Sequence, residues 1–227
     1  MEKNFRVRLI CGLIIFIIAL IGLYTFGSAP LRVAYALFAI VAGIELFSFF
    51  KKKVTIPAVI LAIFEIVFLI MSSIFVAKVG VIEVWYIILG VCGYDIFAYL
   101  CGKAIGGKVF KKSRPFPHIS MNKTWEGTIL GLVVSVGLVA LLMFSLGRTD
   151  YVFLLSGPLA LIGDLYESLM KRKFKIKDSN EILIKKNKFF TNLELLVGGS
   201  EGHGGFLDRI DSTAFAASVF LIIFLII

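Results

Sequence analysis

A chain of 227 residues that is 59% hydrophobic and only 17% charged, with a mean hydropathy of +0.96, has too little polar surface for a soluble globule. That balance belongs to helical integral membrane proteins. The net charge of +9 would suit nucleic acid, but the basic residues fall between apolar runs, which excludes nucleic acid and makes the lipid bilayer the expected partner.

Seven apolar segments follow in chain order, most of them long enough to cross ~30 Å of hydrocarbon: 9–26, 31–50, 54–75, 81–101, 128–147, 151–170 and 213–227. The first follows Lys3, Arg6 and Arg8, lacks a small-residue cleavage site, and reads as a mature helix rather than a signal peptide. Pro57 sits in the first turn of the third segment, where a missing N–H is tolerated. Cys11, Cys92 and Cys101 lie in or beside apolar segments without metal-ligand spacing and read as small buried hydrophobes. With no linker and no repeat, the expectation is one all-α, polytopic transmembrane domain over 1–227.

Of the 24 Lys and Arg residues, 21 fall on one side if the segments alternate, leaving Arg32, Lys78 and Arg148 on the other. The positive-inside rule then predicts a cytoplasmic N-terminus, an external C-terminus and two long cytoplasmic loops. Those loops run from about 102 to 127 and from 171 to 212, far longer than usual helix connections.

The polar residues beside these loops carry the functional expectations. Asp164 near the end of a span is costly unless paired or bound to a cation, and Glu167 and Ser168 share its helical face. Asp208 and Asp211 stand three apart and would project together from a helix entering the last segment. Carboxylates gathered in this way suit Mg²⁺ bound together with a substrate phosphate; an interfacial ion pair of Asp208 with Arg209 or a nearby lysine is the alternative. Lys171, Arg172 and Lys177 read either as topogenic, snorkelling cations or as a polyphosphate clamp. Gly202, Gly204 and Gly205 allow backbone N–H groups close to a phosphate, with a helix starting at about Phe206 behind them. His203 is a phosphate donor or a loop residue satisfied by backbone. Asp95, embedded near the end of the fourth segment, is either functional or a helix–helix hydrogen bond. Glu45 and Glu65 also lie within spans, without a motif to assign them.

These residues resemble the phosphatidate cytidylyltransferase (CDP-diacylglycerol synthase) family. Ser168, Lys171, Arg172, Lys177 and Asp178 fit its S-x-φ-K-R-x4-K-D signature. Gly202, His203, Gly204, Gly205, Asp208, Arg209 and Asp211 fit the G-H-G-G-φ-x-D-R-φ-D block that follows. Gly163-Asp164-Leu165-Tyr166-Glu167, Asp95-x-x-Ala98-Tyr99 and Ser120-x-x-Lys123-Thr124-Trp125-Glu126-Gly127 look like its other landmarks, so the resemblance covers roughly 90–215. It implies CMP transfer from CTP to phosphatidate, giving CDP-diacylglycerol and pyrophosphate, with Mg²⁺ on Asp164, Asp208 and Asp211. A second cation and a homodimer are left open. The catalytic set so implied is Asp164, Lys171, Arg172, Asp208 and Asp211. Substrate contacts would come from Asp95, Lys123, Trp125, Ser168, Lys177, Asp178, the glycine loop with His203, and Arg209. The reaction is expected at the cytoplasmic face of a membrane, bacterial plasma membrane in the first instance.

Two features depart from that pattern. About 17 residues, roughly 184–200, are inserted between the signature halves, and Glu201 replaces the family's usual proline. The competing readings are a CTP-dependent transferase acting on a polyprenol or ether lipid, an inactive homologue, and a transporter. A transporter would spread buried charge through several spans near the midplane, whereas here the charge gathers at one face.

Overall fold

The computed structural model describes residues 29–51, 55–111, 114–176 and 207–227. The expected segment 9–26, Lys177, Asp178, the glycine loop 202–205 with His203, and the insertion 184–200 lie outside them. The described residues form six long helices and no strand: α1 (Ala29–Phe49), α2 (Ile56–Lys78), α3 (Val81–Ile105), α4 (Trp125–Ser145), α5 (Ser156–Phe174) and α6 (Leu207–Ile226). A 3₁₀ turn, Tyr151–Leu155, leads into α5.

With that turn counted, all six are long and apolar enough to span a bilayer. Their outer faces are apolar, with Phe47, Phe144 and Leu225 exposed, while Glu45, Glu65, Ser135, Glu167, Asp211 and Ser218 are buried. A water-soluble bundle has the opposite arrangement. The protein is an integral membrane protein. Inside hydrocarbon, helices adhere through close packing and interhelical hydrogen bonds, and both occur here. Ser135 Oγ donates to the Gly90 carbonyl at 2.7 Å, Tyr166 Oη to Leu61 at 2.5 Å and Ser218 Oγ to Phe68 at 2.9 Å.

α3 packs chiefly along α4, while α2 and α5 both lie against α6. One apolar cluster, centred on Phe75, Tyr86, Phe153 and Phe220, joins the ends of α2 and α6 to the starts of α3 and α5. A second cluster gathers Leu46 and Phe49 of α1, Ala58 of α2, Phe174 of α5 and Leu207 of α6 at the opposite end.

Charge moves the observed boundaries away from those read by hydropathy. α4 begins at Trp125 rather than 128, because Thr124 caps it: its Oγ1 accepts the Gly127 N–H at 3.1 Å. α6 begins at Leu207, one residue from the helix start expected at about Phe206 and ahead of the apolar segment at 213. Asp208 and Asp211 are therefore on the helix, with Asp208 in the first turn, where an acidic side chain is favoured. α5 continues past 170 to Phe174, taking Lys171 and Arg172 into its last turn. There Lys175 turns left-handed (φ 55°) and the Ile176 N–H returns to the Lys171 carbonyl at 3.0 Å, ending the helix. The cysteine expectation is corrected for the two described cysteines, Cys11 lying outside the described residues. Cys92 is exposed on the bundle surface and Cys101 is half-buried, since a small apolar thiol is tolerated against lipid as readily as in a core.

Candidate active site

Two close helix approaches bring distant polar residues together. A Cβ on Gly163 would lie 2.8 Å from Ser212 Cα and 3.0 Å from Phe215 Cβ, so only glycine lets α5 meet α6 this closely. The adjacent Asp164 is thereby brought beside Asp211. On the other side, a Cβ on Gly127 would lie 2.4 Å from the Ala98 carbonyl oxygen. That contact seats the start of α4 on α3, and Lys123, just before the cap, reaches back between α3 and α5.

Lys123 Nζ forms an ion pair with Asp164 Oδ2 and donates to Tyr94 Oη at 3.1 Å. Burial alone would lower the lysine's pKa, but Asp164 and Tyr94 outweigh it and the net shift is upward, so Lys123 stays charged. The first loop is tied down by the neighbouring Glu126, whose Oε1 accepts the N–H groups of Val109 and Phe110, each at 3.0 Å. Trp125 packs against Phe110, with ring centroids 6.2 Å apart.

A cavity of about 200 Å³ opens between α3, α5 and α6, lined by Asp95, Asp164, Glu167, Lys171, Asp208, Asp211 and Ser212. Five carboxylates thus face one ammonium group inside it. Lys171 Nζ lies 2.7 Å from Glu167 Oε2 and 3.3 Å from Asp208 Oδ1. One oxygen each from Asp164, Glu167 and Asp211 lie within 4.8 Å of one another, the spread of a cation's ligands. At that separation each pair of charges repels by roughly 3–4 kcal/mol at an effective dielectric near 20. Glu167 Oε1 is buried without a hydrogen-bond partner among the described residues. A hard divalent cation would both relieve the repulsion and satisfy that oxygen. The donor set therefore fits Mg²⁺.

A second cavity, of about 530 Å³, adjoins the first and shares Asp95 and Asp164 with it. Its wall is basic and polar, with Tyr94, Tyr99, Lys103, Arg114, Asn122 and Lys123. The volume lies within the range of small-ligand pockets.

Of the expected site residues, Asp95, Lys123, Asp164, Lys171, Asp208 and Asp211 line these two cavities. Ser168, Trp125, Arg172 and Arg209 line neither. Arg172 Nε instead donates to the Ile119 carbonyl, tying α5 to the first loop. The alternative weighed for Asp208, a lysine partner, holds alongside its place in the cavity. Glu167 was on the expected face but not in the expected metal set; its i, i+3 spacing from Asp164 was the signal. Tyr94, Lys103 and Arg114 carried no motif of their own, although Tyr94 precedes Asp95.

Residues 52–184 match the cytidylyltransferase family. A phosphatidate cytidylyltransferase of Rickettsia prowazekii is 33% identical over 98% of this chain and 92% of its own length. The chain belongs to the cytidylyltransferase family. It is therefore a CTP-using nucleotidyltransferase. The phosphatidate cytidylyltransferase of Rickettsia typhi is 40% identical over 51% of this chain and 49% of its own length. That of Helicobacter pylori strain J99 is 32% identical over 61% and 45%. No solved structure shows a significant match.

Proposed function

We propose that the protein is a phosphatidate cytidylyltransferase, transferring CMP from CTP to phosphatidate to give CDP-diacylglycerol and pyrophosphate. The observation that carries this reading is the pair of adjoining cavities. One is rich in carboxylates, the other basic, and they meet at Asp95 and Asp164 at one end of a membrane-spanning bundle. Two phosphate-bearing substrates, one soluble and one held in lipid, need such a meeting point.

A phosphatidate oxygen attacks the α-phosphorus of CTP. A new P–O bond forms, the bond between the α-phosphorus and its bridging oxygen to the β-phosphate breaks, and pyrophosphate leaves with the electron pair. No protein nucleophile is required, so the protein contributes positioning and charge. Lys123, held by Tyr94 and Asp164, presents a fixed positive charge at the shared wall. Lys171 holds Glu167 and Asp208 in place from the last turn of α5. Lys103 and Arg114 offer cationic contacts to the substrate phosphates in the larger cavity. Asp164, Glu167 and Asp211 would hold Mg²⁺, with Asp208 beside them, and the bound ion would supply neutralisation of triphosphate charge.

The cytoplasmic orientation is part of the same proposal. It is supported by the sequence, in which 21 of the 24 Lys and Arg residues share the side of the two long loops if the seven apolar segments alternate. Purified protein supplied with labelled CTP, phosphatidate and Mg²⁺ tests the reaction. Labelled CDP-diacylglycerol with stoichiometric pyrophosphate is expected. Folded protein that makes neither sinks the proposal, and product formed only from a polyprenol phosphate or an ether lipid redirects it to that substrate.

A further inference from the structure

We propose that Glu45 of α1 is a positioning residue for the carboxylate cluster, setting the start of α6 from which Asp208 and Asp211 project. Glu45 Oε2 accepts the Leu207 N–H at 2.9 Å, across 162 residues of sequence. The first amides of a helix have no partner within it, and buried ones cannot turn to water. Leu207 is fully buried and Glu45 is 1% exposed, so this contact supplies an acceptor that solvent cannot. A carboxylate there also suits the positive end of the helix. Asp208 stands one residue further on, in the turn that Glu45 anchors, and Asp211 four further on, at the start of the next.

The same end of α1 grips the other half of the site. Phe174, three residues beyond Lys171, packs against Phe49 (5.3 Å between ring centroids) and Phe50 (5.8 Å, edge to face). One helix thus braces both elements that carry the cluster, although the chain between 176 and 207 separates them in sequence. Packing alone explains why a residue at 45 is buried; it does not explain a carboxylate oxygen accepting the N–H of the first residue of α6. Glu45 lines neither cavity, so it acts through α6 and not on substrate. α1 also lies upstream of residues 52–184, the stretch matched to the family.

The inference rests on the proposed metal-dependent transfer, and its test separates the two. Glu45→Gln keeps an acceptor oxygen, whereas Glu45→Met keeps the volume and removes it. Each full-length variant is assayed for turnover, for thermal midpoint, and for Mn²⁺ affinity by electron paramagnetic resonance in the absence of substrate. Glu45→Met should weaken Mn²⁺ binding and lower turnover by about 10-fold, as loss of a residue that orients metal ligands does. Glu45→Gln should stay within roughly 3-fold of wild type on the same measures.

Wild-type Mn²⁺ affinity in folded Glu45→Met, whatever its thermal midpoint, overturns the inference. So does Glu45→Gln as impaired as Glu45→Met, because charge and not the acceptor would then matter. Should Glu45→Met fail to fold, Phe174→Leu loosens the same brace from the α5 side. It should weaken Mn²⁺ affinity by about 2-fold, and unchanged affinity overturns the inference. A wild-type protein without cytidylyl transfer strikes the proposed function; an active wild type with an unmoved Glu45→Met strikes only this one.

Discussion

The two ends of the bundle use charge in opposite ways. At the end away from the cavities, Arg148 lies 3.2 Å from Glu83 and 2.9 Å from Asp150, and the Arg32 guanidinium donates to the Val79 carbonyl at 3.1 Å. Connections there are short, and each named cation meets an acceptor at once. At the other end, five carboxylates crowd about 200 Å³ beside Lys171, and the wall shared with the larger cavity adds Lys123. Interfacial charge costs a few kcal/mol per group unless it is paired. Balanced charge fastens helices. An excess of one sign, held in place by packing, marks chemistry.

That contrast can be broken by substitution, and the largest effects belong to the unbalanced end. Asp211→Asn should reduce cytidylyl transfer on the order of 1000-fold, several kcal/mol of transition-state stabilisation, while leaving the protein folded. Turnover and circular dichroism together check it, and retained activity would remove Asp211 from the metal set. Lys123→Met should lower turnover by roughly 100-fold, in line with loss of one positioned electrostatic contact. Tyr94→Phe, which leaves the ion pair with Asp164, should cost much less. Steady-state kinetics on the two variants separates the charge from the phenol that holds it.

Gly163→Ala probes packing rather than charge. The added methyl must displace α6 at Ser212, and a shift of the Asp164–Asp211 spacing should lower turnover by about 10-fold and reduce the thermal midpoint. Unchanged kinetics would show that α6 yields without moving the carboxylates. The smallest effect belongs to the balanced end. Arg148→Gln should cost roughly 1 kcal/mol or less in stability, because its pairs are partly solvated, and leave turnover within about 2-fold. A large loss of activity from Arg148→Gln would dissolve the distinction between the two ends.

Much of the site was legible because it is locally periodic. Asp164 with Glu167, and Asp208 with Asp211, each stand one helical turn apart, so their projection from a common face follows from helix geometry. Gly163 beside Asp164 is also a local signal. The ion pair of Lys123 with Asp164 was not legible, since nothing local links a loop lysine to a residue 41 positions later. Glu45 escaped for the same reason: its partner is a backbone amide, which carries no signature in any sequence. Helix bounds at Trp125 and Phe174 were missed because hydropathy stops at the first charge, whereas a helix accepts charge in its end turns; the glycine run put the start of α6 within one residue of Leu207.

By itself, the amino-acid sequence determined the membrane class, the six described spans to within a few residues, and the residue types that gather beside the long loops. Composition and period suffice for those, because hydrocarbon penalises any exposed polar backbone and any unpaired charge. Only the tertiary structure decided which carboxylates share a cavity. It sets Glu167 beside Asp164 and Asp211, gives Asp208 to Lys171 within the same cavity, and turns Arg172 toward the first loop. The reason is the reach of the interaction. A carboxylate's partner is chosen by a few ångströms of helix approach, and that approach is fixed by Gly163, Gly127 and the brace of α1, none of which carries charge to the site.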